Sequence, residues 1–128
     1  MNANEIMTRG VMTIKRDAPV MEAMRQMVDR RVTSLIVEKE SERGVYGIIT
    51  RKDIVNKVIA YNKDLETTKV SEIMSEPLMT ISPEMSIDTV ARLMAKTDIR
   101  RFPVMEGNKL VGMVSNSDIL KAIALENL

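Results

Sequence analysis

The chain spells its own pattern twice. Ile6-Met7 recurs as Ile73-Met74, and Met12-Thr13-Ile14 recurs as Met79-Thr80-Ile81, each 67 residues on. Arg25, Met27 and Val37 find Arg92, Met94 and Val104 at the same offset. The offset then falls to 65: Gly47 matches Gly112, and Asp53-Ile54 matches Asp118-Ile119. The change lies in a stretch that reads as a turn, where surface chain tolerates altered length. A duplication of this kind restricts the fold to one supersecondary unit made twice. The copies cover residues 5–60 and 72–127, and residues 61–71 form a linker around the polar run Asn62-Lys63-Asp64-Leu65-Glu66.

Each copy predicts the same elements. A short extended piece comes first, at 11–14 and 78–81. A helix follows, with apolar positions Val20, Ala23, Met24, Met27 and Val28 in one copy and Ile87, Val90, Ala91, Met94 and Ala95 in the other. That spacing is the stripe of a helix packed on a core. Pro19 suits a first helical turn, and Ser86 is a natural N-cap with Asp88 behind it. Two strands come next, at 34–38 and 45–50, then at 101–105 and 109–115. Gly107-Asn108 is a two-residue hairpin signal, and Glu42-Arg43-Gly44 is its longer counterpart. A last helix is expected over 51–60 and 116–125, with Ile54, Val55, Val58 and Ile59 answered by Ile119, Leu120, Ile123 and Ala124. The fold class is α+β: two β-α-β-β-α repeats packed as one pseudo-twofold domain, since one repeat alone is too small to bury a good core.

Composition removes whole classes of function. The chain has 128 residues, no Cys and no His. Disulfides, Cys-based metal sites and Cys nucleophiles are out, as is the usual general base of neutral pH. Lys and Arg number 19 against 18 acidic residues, a net charge of +1 that gives no field to attract nucleic acid or an anionic membrane. Phe102, Tyr46 and Tyr61 are the only aromatic residues, too few for a base-stacking platform. The twelve methionines read as core filling, and less readily as a promiscuous partner surface. No apolar run reaches the roughly 20 residues of a membrane helix, and the polar start Met1-Asn2-Ala3-Asn4-Glu5 lacks a signal-peptide core. A cytoplasmic location is the expectation.

The duplicated unit resembles a tandem pair of CBS (cystathionine beta-synthase) motifs over nearly the whole chain. The resemblance rests on Val11-Met12-Thr13-Ile14, Val32 to Val37 and Gly47-Ile48-Ile49-Thr50-Arg51-Lys52-Asp53-Ile54 in the first copy. In the second it rests on Leu78-Met79-Thr80-Ile81, Ile99 to Val104, and Gly112-Met113-Val114-Ser115-Asn116-Ser117-Asp118-Ile119. No single motif is specific; order, spacing and duplication together are. One departure is Ile36, where the family pattern has the proline that the second copy supplies as Pro103. The resemblance implies a sensor of adenosine compounds (AMP, ADP, ATP or S-adenosylmethionine) with clefts between the repeats. It also implies a homodimer, a disc of four CBS motifs.

Thr50, Arg51, Lys52 and Asp53, and again Ser115, Asn116 and Asp118, follow a strand and open a helix. A carboxylate there can accept both hydroxyls of a ribose, and the hydroxyl residue with free helix N–H groups can hold a phosphate. Ser/Thr-x-x-acid is equally a capping box, and the two roles are compatible. By the resemblance, basic residues at Arg100 and Arg101, after Ile99, reach the phosphates of a nucleotide whose ribose sits on the Asp of the other repeat. Arg provides a planar, permanently charged fork for that task. Thr33 and Ser34 hold the matching uncharged positions, so unequal clefts are expected, the Asp53 one tighter for phosphorylated ligands. Met12, Thr13, Met79 and Thr80 are candidates to line adenine pockets, with Ile14 and Ile81 in the core. Arg51-Lys52 and Arg30-Arg31 otherwise read as solvated pairs. No P-loop, dinucleotide fingerprint or metal loop is present.

Three functions compete. A regulatory module binds an adenosine compound without turning it over, needs no cofactor, and passes its signal to a separate effector protein. A structural dimerisation module keeps vestigial sites. An enzyme would have to work without His or Cys, and no catalytic pair stands out. Two intact Asp segments favour the first. No membrane partner and no nucleic acid are expected.

Overall fold

The computed structural model describes residues 1–76 and 78–127. The chain forms two compact units, and the division does not fall between the copies. One unit is Met12–Leu78; the other joins Met1–Val11 to the chain from Met79 onward.

In the first unit, β1 (Thr13–Ile14), β2 (Ser34–Val37) and β3 (Gly47–Thr50) make a three-stranded sheet in the order β1-β2-β3. β1 runs parallel to β2 with Thr13 opposite Ile36; β3 runs antiparallel with Thr50 opposite Ser34. Helices α2 (Val20–Arg30) and α3 (Arg51–Lys57) supply the other layer. Val20, Ala23, Met27, Leu35, Val37, Ile49, Ile54 and Val58 pack into its core. The other unit holds helix α5 (Ile87–Thr97), the hairpin β4 (Arg101–Glu106) and β5 (Lys109–Ser115), and helix α6 (Asn116–Glu126). Its core gathers Ile81, Val90, Phe102, Val104 and Val114. The hairpin turns on Gly107-Asn108 with Gly107 at φ 61°, the positive angle a two-residue loop needs at its first position.

The Ile36/Pro103 departure has a local consequence. Ile36 N–H donates to Met12 O at 3.2 Å, and the pairing extends into a short strand. Pro103 has no N–H to give, so the second copy keeps only a bridge at Ile81. There Ile81 N–H donates to Pro103 O, and Met105 N–H donates to Ile81 O.

The helical stripes are narrower than their spacing suggests. Val28, Ala91, Ala95, Val55 and Ile59 lie exposed, and α6 buries none of its residues fully. A helix on a sheet this small buries one line of side chains rather than a broad face. The helix expected over 51–60 stops at Lys57. Buried Val58 caps it, with its N–H still on Ile54 O, and a 3₁₀ turn (Ile59–Tyr61) ends at Asn62 with φ 54°, a conformation Asn tolerates. The linker is no loose tether. Thr68 O and Leu65 O accept the N–H groups of Val20 and Met21, donors that Pro19 has no side-chain acceptor to satisfy.

Two four-residue helices complete the fold: α1 (Ala3–Ile6) and α4 (Val70–Ile73), each opening a repeat. Each packs on the body of the other repeat. Val70 and Ser71 donate to Ala18 O and Arg16 O, and Ala3 and Asn4 donate to Met85 O and Pro83 O, all at 2.9 Å. Farther along, Ser75 and Ile48 exchange two backbone hydrogen bonds, as do Thr8 and Met113. The equivalence is residue for residue: both leaders are swapped.

This close approach explains the matched glycines. A Cβ on Gly47 would lie 2.9 Å from Ser75 O, and one on Gly112 would lie 2.6 Å from Met7 Sδ and 3.0 Å from Thr8 O. Alanine at either position should destabilise the chain by about 1–3 kcal/mol, the usual range for overpacking. Gly47→Ala should cost more, because its nearest obstacle is backbone while Met7 can swing aside. Urea melts that place both variants within error of wild type would show that the leaders are not held this closely.

Candidate functional site

The sequence-predicted residues converge within each unit. β1 and β2 begin, and β3 ends, at one end of the first unit's sheet. Met12 and Thr13, Thr33 and Ser34, and Thr50 with α3 therefore meet there. Arg51 N–H donates to Thr33 O at 3.0 Å and ties two of these segments together. The second unit repeats the arrangement. Arg101 pairs with Ser115, Asn116 N–H donates to Arg100 O at 2.9 Å, and Met79 and Thr80 lead into the Ile81 bridge. Arg51, Lys52, Met79, Thr80, Arg100 and Asn116 are exposed; Thr50, Asp53, Ile99, Ser115 and Asp118 are half-buried. Thr33, Ser34 and Arg101 each already have an interaction partner.

Both Asp segments are complete capping boxes. Thr50 Oγ1 accepts from Asp53 N–H, and Asp53 Oδ2 accepts from Thr50 N–H at 2.9 Å and from Thr50 Oγ1–H at 3.0 Å. Ser115 Oγ accepts from Asp118 N–H, and Asp118 Oδ2 accepts from Ser115 N–H at 2.9 Å. The chain leaves an extended strand and enters a helix within one residue, and this reciprocal pair satisfies the donors that the change exposes. Three of the four opening N–H groups of each helix are spoken for. Lys52 and Ser117 keep the one donor in each start with no partner outside its helix among the described residues. A phosphate at either place would thus rely on side chains more than on a row of free N–H groups, a thinner cradle than the sequence suggests.

Beyond the caps the two copies differ. Asp53 Oδ1 forms an ion pair with Lys57 Nζ at 3.0 Å, and the same ammonium donates to Ile73 O at 3.0 Å. The equivalent of Lys57 in the second copy is Ala122. Lys57 was not among the residues singled out from sequence. Its i, i+4 spacing from Asp53 is the signal that finds it.

A second polar feature of the first unit lies at the other end of its sheet. Arg16 is largely buried. It donates to Glu38 O at 3.0 Å and to Val45 O, and pairs with Glu76 Oε2 at 2.7 Å. It pins the 38–46 loop and the swapped leader to β1. An open groove of about 730 Å³ runs beside it, lined by Lys15, Asp17, Glu38, Lys39, Glu42 and Tyr46 among others. Its charged residues are of both signs. Among the described residues no group of His, Cys, Asp or Glu is arranged to hold a metal ion, and no helix is long and apolar enough to cross a membrane.

Comparison with known proteins places these observations. A crystal structure of a hexameric CBS-CP12 protein from bloom-forming cyanobacteria superposes with a TM-score of 0.86 at 46% identity, covering 94% of this chain and 66% of that one. The CBS domain pair of protein MJ0100, solved in complex with 5′-methylthioadenosine and S-adenosyl-L-methionine, superposes with a TM-score of 0.82 at 27% identity, covering 98% of both chains. Among curated proteins, the mitochondrial CBS domain-containing protein CBSX3 of Arabidopsis thaliana is 34% identical over 87% of this chain, which spans only 55% of that relative's length. The CBS domain family model matches twice, at residues 3–60 and 70–125, so the two copies are two CBS repeats and this chain belongs to the CBS domain family.

Proposed function

We propose that this chain is a regulatory module that binds an adenosine-containing ligand at its Asp-bearing helix starts, without chemistry, and transmits occupancy to a separate effector protein. The observation that carries the reading is the doubled arrangement around Asp53 and Asp118. Each carboxylate is half-buried, held still by its cap, and flanked by the starts of two extended segments. A fixed carboxylate beside Met12-Thr13 or Met79-Thr80 suits a nucleoside: the acid accepts ribose hydroxyls, the threonine meets the base edge, and the methionine covers its face. Arg51, Lys52, Arg100 and Arg101 offer positive charge for a phosphate or carboxylate tail. The MJ0100 pair, with its two adenosine compounds, supports this ligand class. The capping boxes themselves support the second reading, a structural module whose Asp residues only stabilise helices.

Thermal unfolding separates the two. AMP, ADP, ATP, S-adenosylmethionine or 5′-methylthioadenosine should stabilise the folded chain, by about 2.7 kcal/mol at one hundred times its Kd. The shift should disappear in the Asp53→Asn/Asp118→Asn double variant, each protein compared with its own ligand-free melt. A flat response to all five at millimolar concentration would leave the structural reading standing. Steady release of phosphate from a nucleotide by clean protein would refute the non-catalytic half.

We also propose self-association, as a homodimer. Leu120 and Leu125 on α6 are 71% and 72% exposed, and Val55 on α3 and Ile59 in the 3₁₀ turn after it are each about half exposed. Apolar side chains clustered on a helix surface mark association faces, and a closed twofold is the commonest outcome. Light scattering at tens of micromolar should give twice the monomer mass, and Leu120→Glu with Ile123→Glu should return it to one chain. A wild-type monomer at that concentration would refute the proposal.

A further inference from the structure

The two leaders share one set of backbone bonds and are otherwise held unequally. Thr8 and Met113 exchange N–H donation just as Ser75 and Ile48 do, and the bonds from Ala3 and Asn4 match those from Val70 and Ser71. Past that common set the leader at residues 70–78 has more. Leu78 N–H donates to Tyr46 O at 3.0 Å and carries the pairing on to the residue before β3. Its counterpart Val11 donates to nothing among the described residues. Arg16, largely buried, pairs with Glu76 Oε2 at 2.7 Å, and Lys57 Nζ donates to Ile73 O at 3.0 Å, so two cations of the first unit grip this leader. The positions that match Arg16, Glu76 and Lys57 are Pro83, Arg9 and Ala122. Arg9 turns back on its own leader and donates to Asn4 Oδ1 at 3.2 Å. Among the described residues, no side-chain hydrogen bond or ion pair ties residues 1–11 to the rest of their unit.

Apolar burial is unequal in the same direction. Val70 and Ile73 are 0% and 3% exposed, whereas their counterparts are the smaller Ala3 and the half-buried Ile6. Hydrophobic stabilisation follows the apolar area removed from water, so the leader at residues 3–8 gains less from docking. Segments with few buried apolar contacts are the ones that open locally while the rest of a fold stays intact. Gly10, exposed and at φ 73°, is a ready hinge between this leader and Met12.

We propose that the leader at residues 3–8 is a releasable strap: it lifts from β5 as one piece, turning at Gly10, while the leader at residues 70–78 stays seated. Release bares the backbone N–H and C=O of Met113 and the stretch at Gly112 where no side chain stands, just ahead of Ser115 and its helix start. The second repeat, and not the first, thereby has a part that opens and shuts beside its Asp-bearing cap. The strap needs no ligand to open, so it stands or falls independently of adenosine binding.

Native-state amide hydrogen exchange of the full chain, read residue by residue by NMR, tests this. The amides of Ala3, Asn4, Thr8 and Met113 should share one protection factor, about tenfold or more below that of Ile48 and Ser75. Low urea should hardly change it, because a local opening exposes little surface. Glu76→Gln, which removes the ion pair at a partly exposed side chain, should lower protection at Ile48 and Ser75 and leave Thr8 and Met113 as they were. Ala122→Lys, which puts a cation at the position matching Lys57, should raise protection at Thr8 and Met113. Equal protection at Thr8 and Ser75, or a Thr8 amide that exchanges only through global unfolding, would overturn the inference. So would protection that falls steadily from Thr8 back to Ala3, the mark of an end that frays and not of a strap that lifts.

Discussion

Everything else in this chain depends on the paired backbone hydrogen bonds that seat each repeat's leader on the other repeat. Ile48 and Ser75 make one such pair and Thr8 and Met113 the other, at nearly identical lengths. The constraint reaches back into the sequence. Where a neighbouring backbone comes this near a strand, no side chain fits, which is why glycine stands at both 47 and 112 in strands otherwise rich in branched residues. It also accounts for the backbone bonds from Val70 and Ser71, and from Ala3 and Asn4, which satisfy helix N–H groups that a four-residue helix could never satisfy alone.

The duplication, the strands and most helix starts were legible because each leaves a signal several residues long. Two matched copies give every assignment a second witness, and the length change fell in a turn, as expected of a surface loop. The leaders were visible only as a repeated dipeptide. A four-residue helix is too short to display a period, and nothing in Ile6-Met7 says which body it will pack on. The end of α3 was missed for a related reason. The apolar pattern runs on through Val58 and Ile59, while the chain turns there under the control of Asn62. The width of the helical stripes was overestimated because spacing records which residues could be buried, not how much sheet there is to bury them.

The candidate site was legible as a motif and not as an inventory. Thr50-x-x-Asp53 and Ser115-x-x-Asp118 read identically in sequence, and their capping geometry is nearly identical too. They differ in the Thr50 hydroxyl, which donates to Asp53 Oδ2, and in Lys57 a turn downstream, which pairs with Asp53 and donates to Ile73 O from a distant segment. Sequence also shows an asymmetry at Arg100-Arg101 against Thr33-Ser34, where charge differs most obviously. Charge differences are easy to count along a chain. A contact from a distant segment, such as Ile73 O on Lys57, leaves no mark along the chain.

The leader exchange carries a statement about ancestry. A chain consisting of one such repeat has a leader with nowhere on itself to dock and a sheet with an empty berth. Two identical copies satisfy each other, each lending the piece the other lacks, so the minimal complete object is a pair of chains. Joining two copies end to end on one chain turns that reciprocal loan into an internal one, set by the reach of the connection and independent of how dilute the protein is. Once both halves lie on one chain they no longer have to be the same residue for residue, and Lys57 at the position where the other copy has Ala122 is the kind of difference that an assembly of identical subunits could never acquire.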